Sequence, residues 1–389
     1  MFKIQPVPSN DHAPEGGRNP VAAFDADLIE AVRVNRSAAE RRVATLPGRR
    51  TVKKQWQAAW LVKAVQCIDL TTLAGDDTPG RVRRICAKAR QPVRQDLLDA
   101  MGIGELGITT GAVCVYHAMI ETAVEALRGT VIPVAAVSAG FPAGLSPLPL
   151  RIKEVEASVA AGAREIDIVL DRSNVLTGNY RAVYDEVKAF REACGSAHLK
   201  TIIGAGDLGT LINVARASMA CMMAGADFIK TSTGKEAVNA TLPFALVMVR
   251  MIRTWRELTG YKVGFKPAGG ISTAKDAMNY QFDEGGAGQR LARAEPVPAW
   301  GIEPADRHRA AIGTFHERAL FLGAPPSDGI RNGPVRQLSL FFNLPLEGRS
   351  IRRSRRRSRI GWGECFEAYP HPEHFSLRSK CSDLPARGR

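Results

Sequence analysis

The sequence predicts a (β/α)8 TIM barrel, an α/β fold, and three observations carry the prediction. Short apolar runs alternate with amphipathic helical stretches, seven times in succession. Each run is followed by Gly, Thr, Ser or Pro before the next helical stretch begins. Polar residues stand at the C-terminal ends of many different runs. A closed barrel builds its active site there, whereas an open doubly wound sheet would gather them at one switch point.

The elements follow in order. Met1–Pro20 is polar and rich in Pro, Gly and Asn, so no signal peptide is expected. Ala22–Ala44 and Val52–Ala64 carry helical patterning. The expected strands are Val65–Leu73, Gly111–Tyr116, Val131–Val137, Glu165–Leu170, Leu199–Ile203, Asp227–Thr231 and Lys262–Lys266. Between them lie amphipathic stretches such as Leu150–Ala161, Tyr180–Ala193, Thr210–Ala224 and Leu242–Thr259. Val131–Leu150 is uncharged and long enough for a membrane span, but four prolines and two glycines make it a buried strand and a loop. The rhythm stops near Gln281, so the eighth βα unit is expected to be missing or replaced. The chain therefore divides into an N-terminal extension with helices (1–60), a seven-unit barrel domain (61–282) and an atypical, disordered tail (283–389) rich in Arg, Pro and Gly.

Composition sets the bounds. With 389 residues, 45% of them hydrophobic, the chain can bury a large core, which excludes full disorder. Lys and Arg exceed Asp and Glu by 53 to 39, and 18 of the basic residues lie in Asp283–Arg389 against 12 acidic ones. Such a balance permits phosphate or nucleic-acid binding without demonstrating either. Seven scattered cysteines, odd in number and without zinc spacing, read as reduced thiols of a cytoplasmic protein. No metal or other cofactor is expected.

The stretch DFIKTSTGKEAVNAT holds the densest chemistry. Lys230 ends an apolar strand, so its amine emerges at the catalytic rim. A lysine in a partly dry site can lose its proton and attack a carbonyl to form a Schiff base. One unit later GFKPAGG puts Lys266 at the end of the next strand. Neighbouring strands lie about 5 Å apart, and a second ammonium at that range disfavours protonation of the first. Asp167 in EIDIVLDR alternates with Ile166 and Ile168, which places it inside a barrel, where a carboxylate must be paired or at work. It could equally be a structural partner for a buried lysine. Asp69 and Thr71 in CIDLTTL make the same case on the first strand, and Cys114 in AVCVY lines the barrel as a packed thiol. Gly234 with Lys235, and Gly269 with Gly270, suggest turns whose N–H groups approach a phosphate.

Two other readings compete. Gly204–Gly209 (GAGDLG) follows a strand and opens a helix, as a dinucleotide fingerprint would, which suggests an NAD-dependent oxidoreductase. Its next strand, however, ends in Lys230 rather than an acid. The run Arg352–Arg359 could bind nucleic acid, making the chain a non-enzymatic barrel with a basic tail. Nucleic acid is the less favoured partner, because that arginine content has a simpler origin, given below.

Taken together, CIDLTTLAGDDT, ITTGAVCVY, GFPAG, EIDIVLDR, LKTIIGAGDLGT, FIKTSTGKEAVNAT and GFKPAGG resemble the deoxyribose-phosphate aldolase family of class I aldolases, over about Val65 to Phe282. The resemblance implies Lys230 as the Schiff-base lysine and Lys266 as the lysine that lowers its pKa. It implies Asp167 as the carboxylate of a proton relay through water. The implied reaction is cofactor-free cleavage of 2-deoxy-D-ribose 5-phosphate to glyceraldehyde 3-phosphate and acetaldehyde, with a sugar phosphate as partner and a homo-oligomer as a possible state. His117 stands where the family commonly has Pro, and Ser272 where it usually has Arg.

The tail is the largest departure. Read one base later, DNA that encodes Trp300–Gly313 can spell GASSLLTDIERQL, the phosphate-binding strand end and closing helix that the family has there. Asp283–Gly288 likewise hides MKEELG in the same frame. A frameshift near Phe282 accounts for both, and the arginine-rich tail becomes an accident of GC-rich DNA. Weak activity on the phosphate ester is the expected consequence.

Overall fold

The computed structural model describes residues 18–49, 54–280 and 314–316. Helices α1 (Ala26–Ala31), α2 (Arg36–Arg49) and α3 (Lys54–Gln66) lead into strand β1 (Asp69–Thr71), then α4 (Pro79–Arg90) and α5 (Gln95–Ala100). Strands and helices then alternate: β2 (Ala112–Tyr116), α6 (Ile120–Ala126), β3 (Val134–Val137), α7 (Leu148–Ala160) and β4 (Glu165–Val169). There follow α8 (Arg172–Leu176), α9 (Tyr180–Ala193), β5 (His198–Ile202), α10 (Leu211–Met223), β6 (Phe228–Lys230), α11 (Leu242–Thr259) and β7 (Gly264–Lys266). All seven expected strands are present.

The helix starts are chemically marked. Thr78, Asn179, Thr210 and Thr241 each accept an N–H from the first turn of α4, α9, α10 and α11. Gly260, in the left-handed region at φ 78°, ends α11 and donates to the Arg256 carbonyl. The single helix expected over Ala22–Ala44 is two. It breaks after Val32, and Asn35 Oδ1 takes the Ala38 N–H at 2.9 Å to start the second.

The strands run parallel in the order β7-β6-β5-β4-β3-β2-β1, and Thr314–His316 adds an eighth strand, β8, beside β1. The eighth strand position is thus filled, while any helix to complete the eighth βα unit lies outside the described residues. The filler is a β-branched and aromatic triplet; Val335–Leu346, a tail segment that could also have filled the gap, lies outside the described residues. Among the described residues no ladder joins β7 to β8. Phe282, Asp283–Gly288, Trp300–Gly313 and Arg352–Arg359 also lie outside them.

The sheet is curled into a barrel. Ile166, Ile168, Leu199, Ile229 and Phe265 face the helical layer in the main core. The alternate residues face inward, and Ala112, Cys114, Ala135 and Val137 form a separate interior cluster. Charged side chains take inward positions on β1, β4, β5, β6 and β7. Among the described residues no helix is long and apolar enough to cross a membrane.

A segment before α1 docks at the start of β6. Asn19 is buried, donates its side-chain amide to the Met222 and Ala226 carbonyls and accepts from Trp255 Nε1. Its backbone N–H meets Asp227, whose carboxylate also receives Arg191 and the Leu199 N–H. Asp227 immediately precedes β6.

Candidate active site

Six charged side chains meet inside the barrel: Asp69 from β1, Glu165 and Asp167 from β4, Lys200 from β5, Lys230 from β6 and Lys266 from β7. All are buried, and Asp167 and Lys266 are wholly so. Parallel register sets Lys230 beside Lys266 and Asp167 beside Lys200. Lys230 Nζ lies 2.6 Å from Asp167 Oδ2. Lys200 Nζ touches all three acids, at 2.7 Å from Asp69, 2.5 Å from Glu165 and 3.3 Å from Asp167. Lys266 pairs with Asp69. Three carboxylates and three ammoniums cancel, which is what permits so many charges in a dry interior.

The two strand-end lysines are electrostatically unlike. Burial pulls Lys230 down, but Asp167 outweighs it through charge and a hydrogen bond, and the group ends above the usual lysine value. Burial also pulls Lys266 down, and there the ammoniums of Lys200 and Lys230 help it to prevail over Asp69, leaving Lys266 below that value. The sequence had suggested the opposite asymmetry, with Lys230 the depressed amine. The acid at 2.6 Å is the reason for the difference. Burial would raise Asp69 and Asp167, yet Lys200, with Lys266 and Lys230 respectively, holds both below the ordinary carboxylate range.

Thr71 is buried and donates its hydroxyl to the Asp69 carbonyl at 2.9 Å. The Cys114 thiol is pushed up to about 12 by burial and by Asp167, so it packs the interior as a neutral group.

The loops after β6 and β7 are stitched together. Ala268 N donates to Thr231 Oγ1 at 2.9 Å, and Ser232 Oγ and Ala240 N both donate to the Ala268 carbonyl. A side chain at Gly269 would collide with Asn239, so the loop that carries Gly234 and Lys235 packs against the Gly269 turn further along. Gly234, Gly269 and Gly270 all have positive φ. Lys235 Nζ donates to the Leu73 carbonyl at 3.0 Å.

Sequence reasoning assigned no role to Lys200, Glu165 or Glu236. Lys200 and Glu165 did leave a signal. Glu165 and Asp167 share one strand face, and a lysine inside the apolar run of β5 must find acids when the sheet closes. His117 points the other way, with Nδ1 3.1 Å from Ser158 on α7, and Ser272 is exposed.

The glycine fingerprint has a different use from dinucleotide binding. The space a side chain at Gly206 would fill is taken by the Val238 carbonyl, 2.0 Å from an added Cβ. The protein's own β6 loop lies where a pyrophosphate would have to approach. Among the described residues no group of three or more His, Cys, Asp or Glu could hold a metal.

A family model described as DeoC/LacD family aldolase matches residues 63–295. The Homo sapiens protein named deoxyribose-phosphate aldolase is 58% identical over 257 residues, covering 66% of this chain and 81% of that one. Its Bos taurus counterpart of the same name is 57% identical over the same shares. An apo structure from Toxoplasma gondii ME49, provisionally named a deoxyribose-phosphate aldolase, covers 68% of this chain and 95% of that one, with a TM-score of 0.55 and 17% identity. That last likeness is one of fold.

Proposed function

The chain belongs to the DeoC/LacD family of aldolases, and we propose that it is a class I aldolase cleaving 2-deoxy-D-ribose 5-phosphate to D-glyceraldehyde 3-phosphate and acetaldehyde. The observation that carries the reading is Lys230, a strand-end amine with a carboxylate at 2.6 Å and a lysine on the register-paired strand.

In this reading the Lys230 amine attacks C1 of the open-chain sugar and expels water, giving an iminium. The C3 hydroxyl then loses its proton, the C2–C3 bond breaks, and its electron pair flows into the iminium to form an enamine. Glyceraldehyde 3-phosphate leaves. Protonation at C2 and hydrolysis release acetaldehyde and restore the amine. Asp167, which Lys200 links to Asp69 and through it to Lys266, supplies and removes the protons through water. The cluster is suited to this because its members can trade protons without a net charge appearing in the interior. Asp69, Thr71 and Cys114 shape the floor, and Gly234, Lys235, Gly269 and Gly270 form the phosphate end. Cys86, Cys114, Cys194 and Cys221 are buried free thiols, which suits a cytoplasmic, reducing setting.

The test is borohydride reduction of the full chain with acetaldehyde, followed by peptide mass analysis. An ethyl group on Lys230, lost in Lys230→Ala, is the expected result. Modification spread over surface lysines, or full cleavage activity in Lys230→Ala, would overturn the assignment. The same assay on a chain with its frame restored after Phe282 measures what the atypical tail costs.

A further inference from the structure

The turn after β6 already contains an anion. Thr233 donates its backbone N–H to both oxygens of Glu236, at 3.0 and 2.9 Å, and its hydroxyl to Glu236 Oε2 at 2.6 Å. Thr233 Oγ1 in turn accepts the Lys235 N–H at 3.0 Å. This is the reciprocal arrangement of a capping box, but no helix follows: residues 233–240 are a loop, and α11 starts at Leu242. The carboxylate therefore caps nothing. It takes up the N–H and O–H donors of a glycine turn three residues past the Lys230 amine, a span of at most about 11 Å of chain. The same loop touches Gly269 through Asn239, and an added Cβ at Gly234 or Gly270 would meet nothing within 4 Å, so both turns have an open side.

We propose that Glu236 is a specificity-determining residue that stands in for the substrate's phosphate in the resting loop and competes with it. A phosphate entering between the two turns meets donors already spent on a carboxylate, and it meets that carboxylate's charge. Binding of the ester requires an exchange, in which Thr233 releases Glu236 and turns its N–H and O–H to the phosphate oxygens. An unphosphorylated sugar needs no such exchange. Glu236 thus narrows the preference for the phosphorylated substrate and sets its KM upward. This rests on the aldolase reading above for the identity of the substrate.

The experiment compares the full chain with Glu236→Gln and Glu236→Ala on 2-deoxyribose 5-phosphate and on 2-deoxyribose. Removing one like charge a few ångströms from the phosphate should lower KM for the ester about 5- to 10-fold and raise the ratio of kcat/KM for ester over free sugar by a similar factor. Inorganic phosphate should inhibit at correspondingly lower concentration. An unchanged ratio, or a KM that rises for both substrates together, would show that Glu236 only shapes the loop and would overturn the proposal. Glu236→Gln is nearly isosteric and carries the test if Glu236→Ala does not fold. If the unmodified chain turns over neither sugar and borohydride with acetaldehyde does not label Lys230, the aldolase reading is what has failed. The thermal shift produced by inorganic phosphate, larger in Glu236→Gln than in the parent chain if the proposal holds and equal if it does not, then decides the matter alone.

Discussion

Lys200 on β5 and Asp69 on β1 are 2.7 Å apart, although four strand spacings separate them along the sheet. In a flat sheet that interval is about 19 Å. The contact therefore ties the two sides of the barrel together through its interior. It also makes Lys200 the hub through which Asp69, Glu165 and Asp167 share charge.

The asymmetry of the two strand-end lysines predicts a pH effect. The Lys230 amine must be neutral to attack, so imine formation rises with pH through its pKa. Lys266→Met removes a neighbouring positive charge, which raises that pKa. The rising limb of the pH profile should move to higher pH, and the rate of borohydride trapping at pH 7 should fall about tenfold or more. A limb that stays in place would count against any electrostatic role for Lys266.

Asp167→Asn should separate two steps that Lys266→Met does not. Without its carboxylate partner the Lys230 ammonium loses the interaction that holds it above the usual value, so trapping by acetaldehyde should persist or quicken at neutral pH. Complete cleavage needs the proton relay and should drop by about 10²–10⁴-fold. Single-turnover trapping and steady-state cleavage, measured on one preparation, distinguish the two.

Acid should unfold the barrel through its carboxylates. Asp69 and Asp167 both titrate below their ordinary value in the folded chain. The stability they contribute is complete above about pH 4, where the unfolded carboxylates are also ionised, and is lost as pH falls from there toward the depressed values. Urea midpoints measured from pH 6 to pH 3 should decline chiefly below pH 4. Asp69→Asn, which leaves Lys200 and Lys266 short of an acid, should cost about 3–5 kcal/mol at pH 7 and flatten the slope. A midpoint independent of pH across that range would contradict the pairing.

Two glycines of GAGDLG should respond differently. Gly206→Ala drives a Cβ into the Val238 carbonyl and should lower Tm by more than about 5 °C, since backbone is displaced. Gly209→Ala has open space but a φ of +70°, so a loss of about 1 kcal/mol, or about 2–4 °C, is expected. Equal effects would mean that the β6 loop moves aside freely.

The strands were legible because burial on both faces of a parallel sheet leaves compact apolar runs, and the glycine turns mark their ends. Lys230, Lys266 and Asp167 were legible because each breaks an apolar run at a rim or interior position. Lys200 left only a general signal, a lysine in an apolar run that must find acids, because the sequence does not say which three the register and the closure bring to it. Helix α4 was passed over although Val82, Ile85, Cys86 and Ala89 mark its buried face. Its five cationic residues, Arg81, Arg83, Arg84, Lys88 and Arg90, masked that periodicity. Strand β8 was not visible at all, since a three-residue pairing leaves too little pattern to find.

The strand that presents Lys230 is only three residues long, Phe228–Lys230, and a rod that short has no stiffness of its own to aim an amine. Its footing comes from outside: Asp227 at its root is gripped by Asn19, 208 residues earlier in the chain, while Trp255 grips Asn19 in turn. The aim of the Lys230 nitrogen is therefore set in part by the segment around Asn19, at the other end of the strand. A substitution at Asn19 would remove no group of the charged cluster and still blur where Lys230 points.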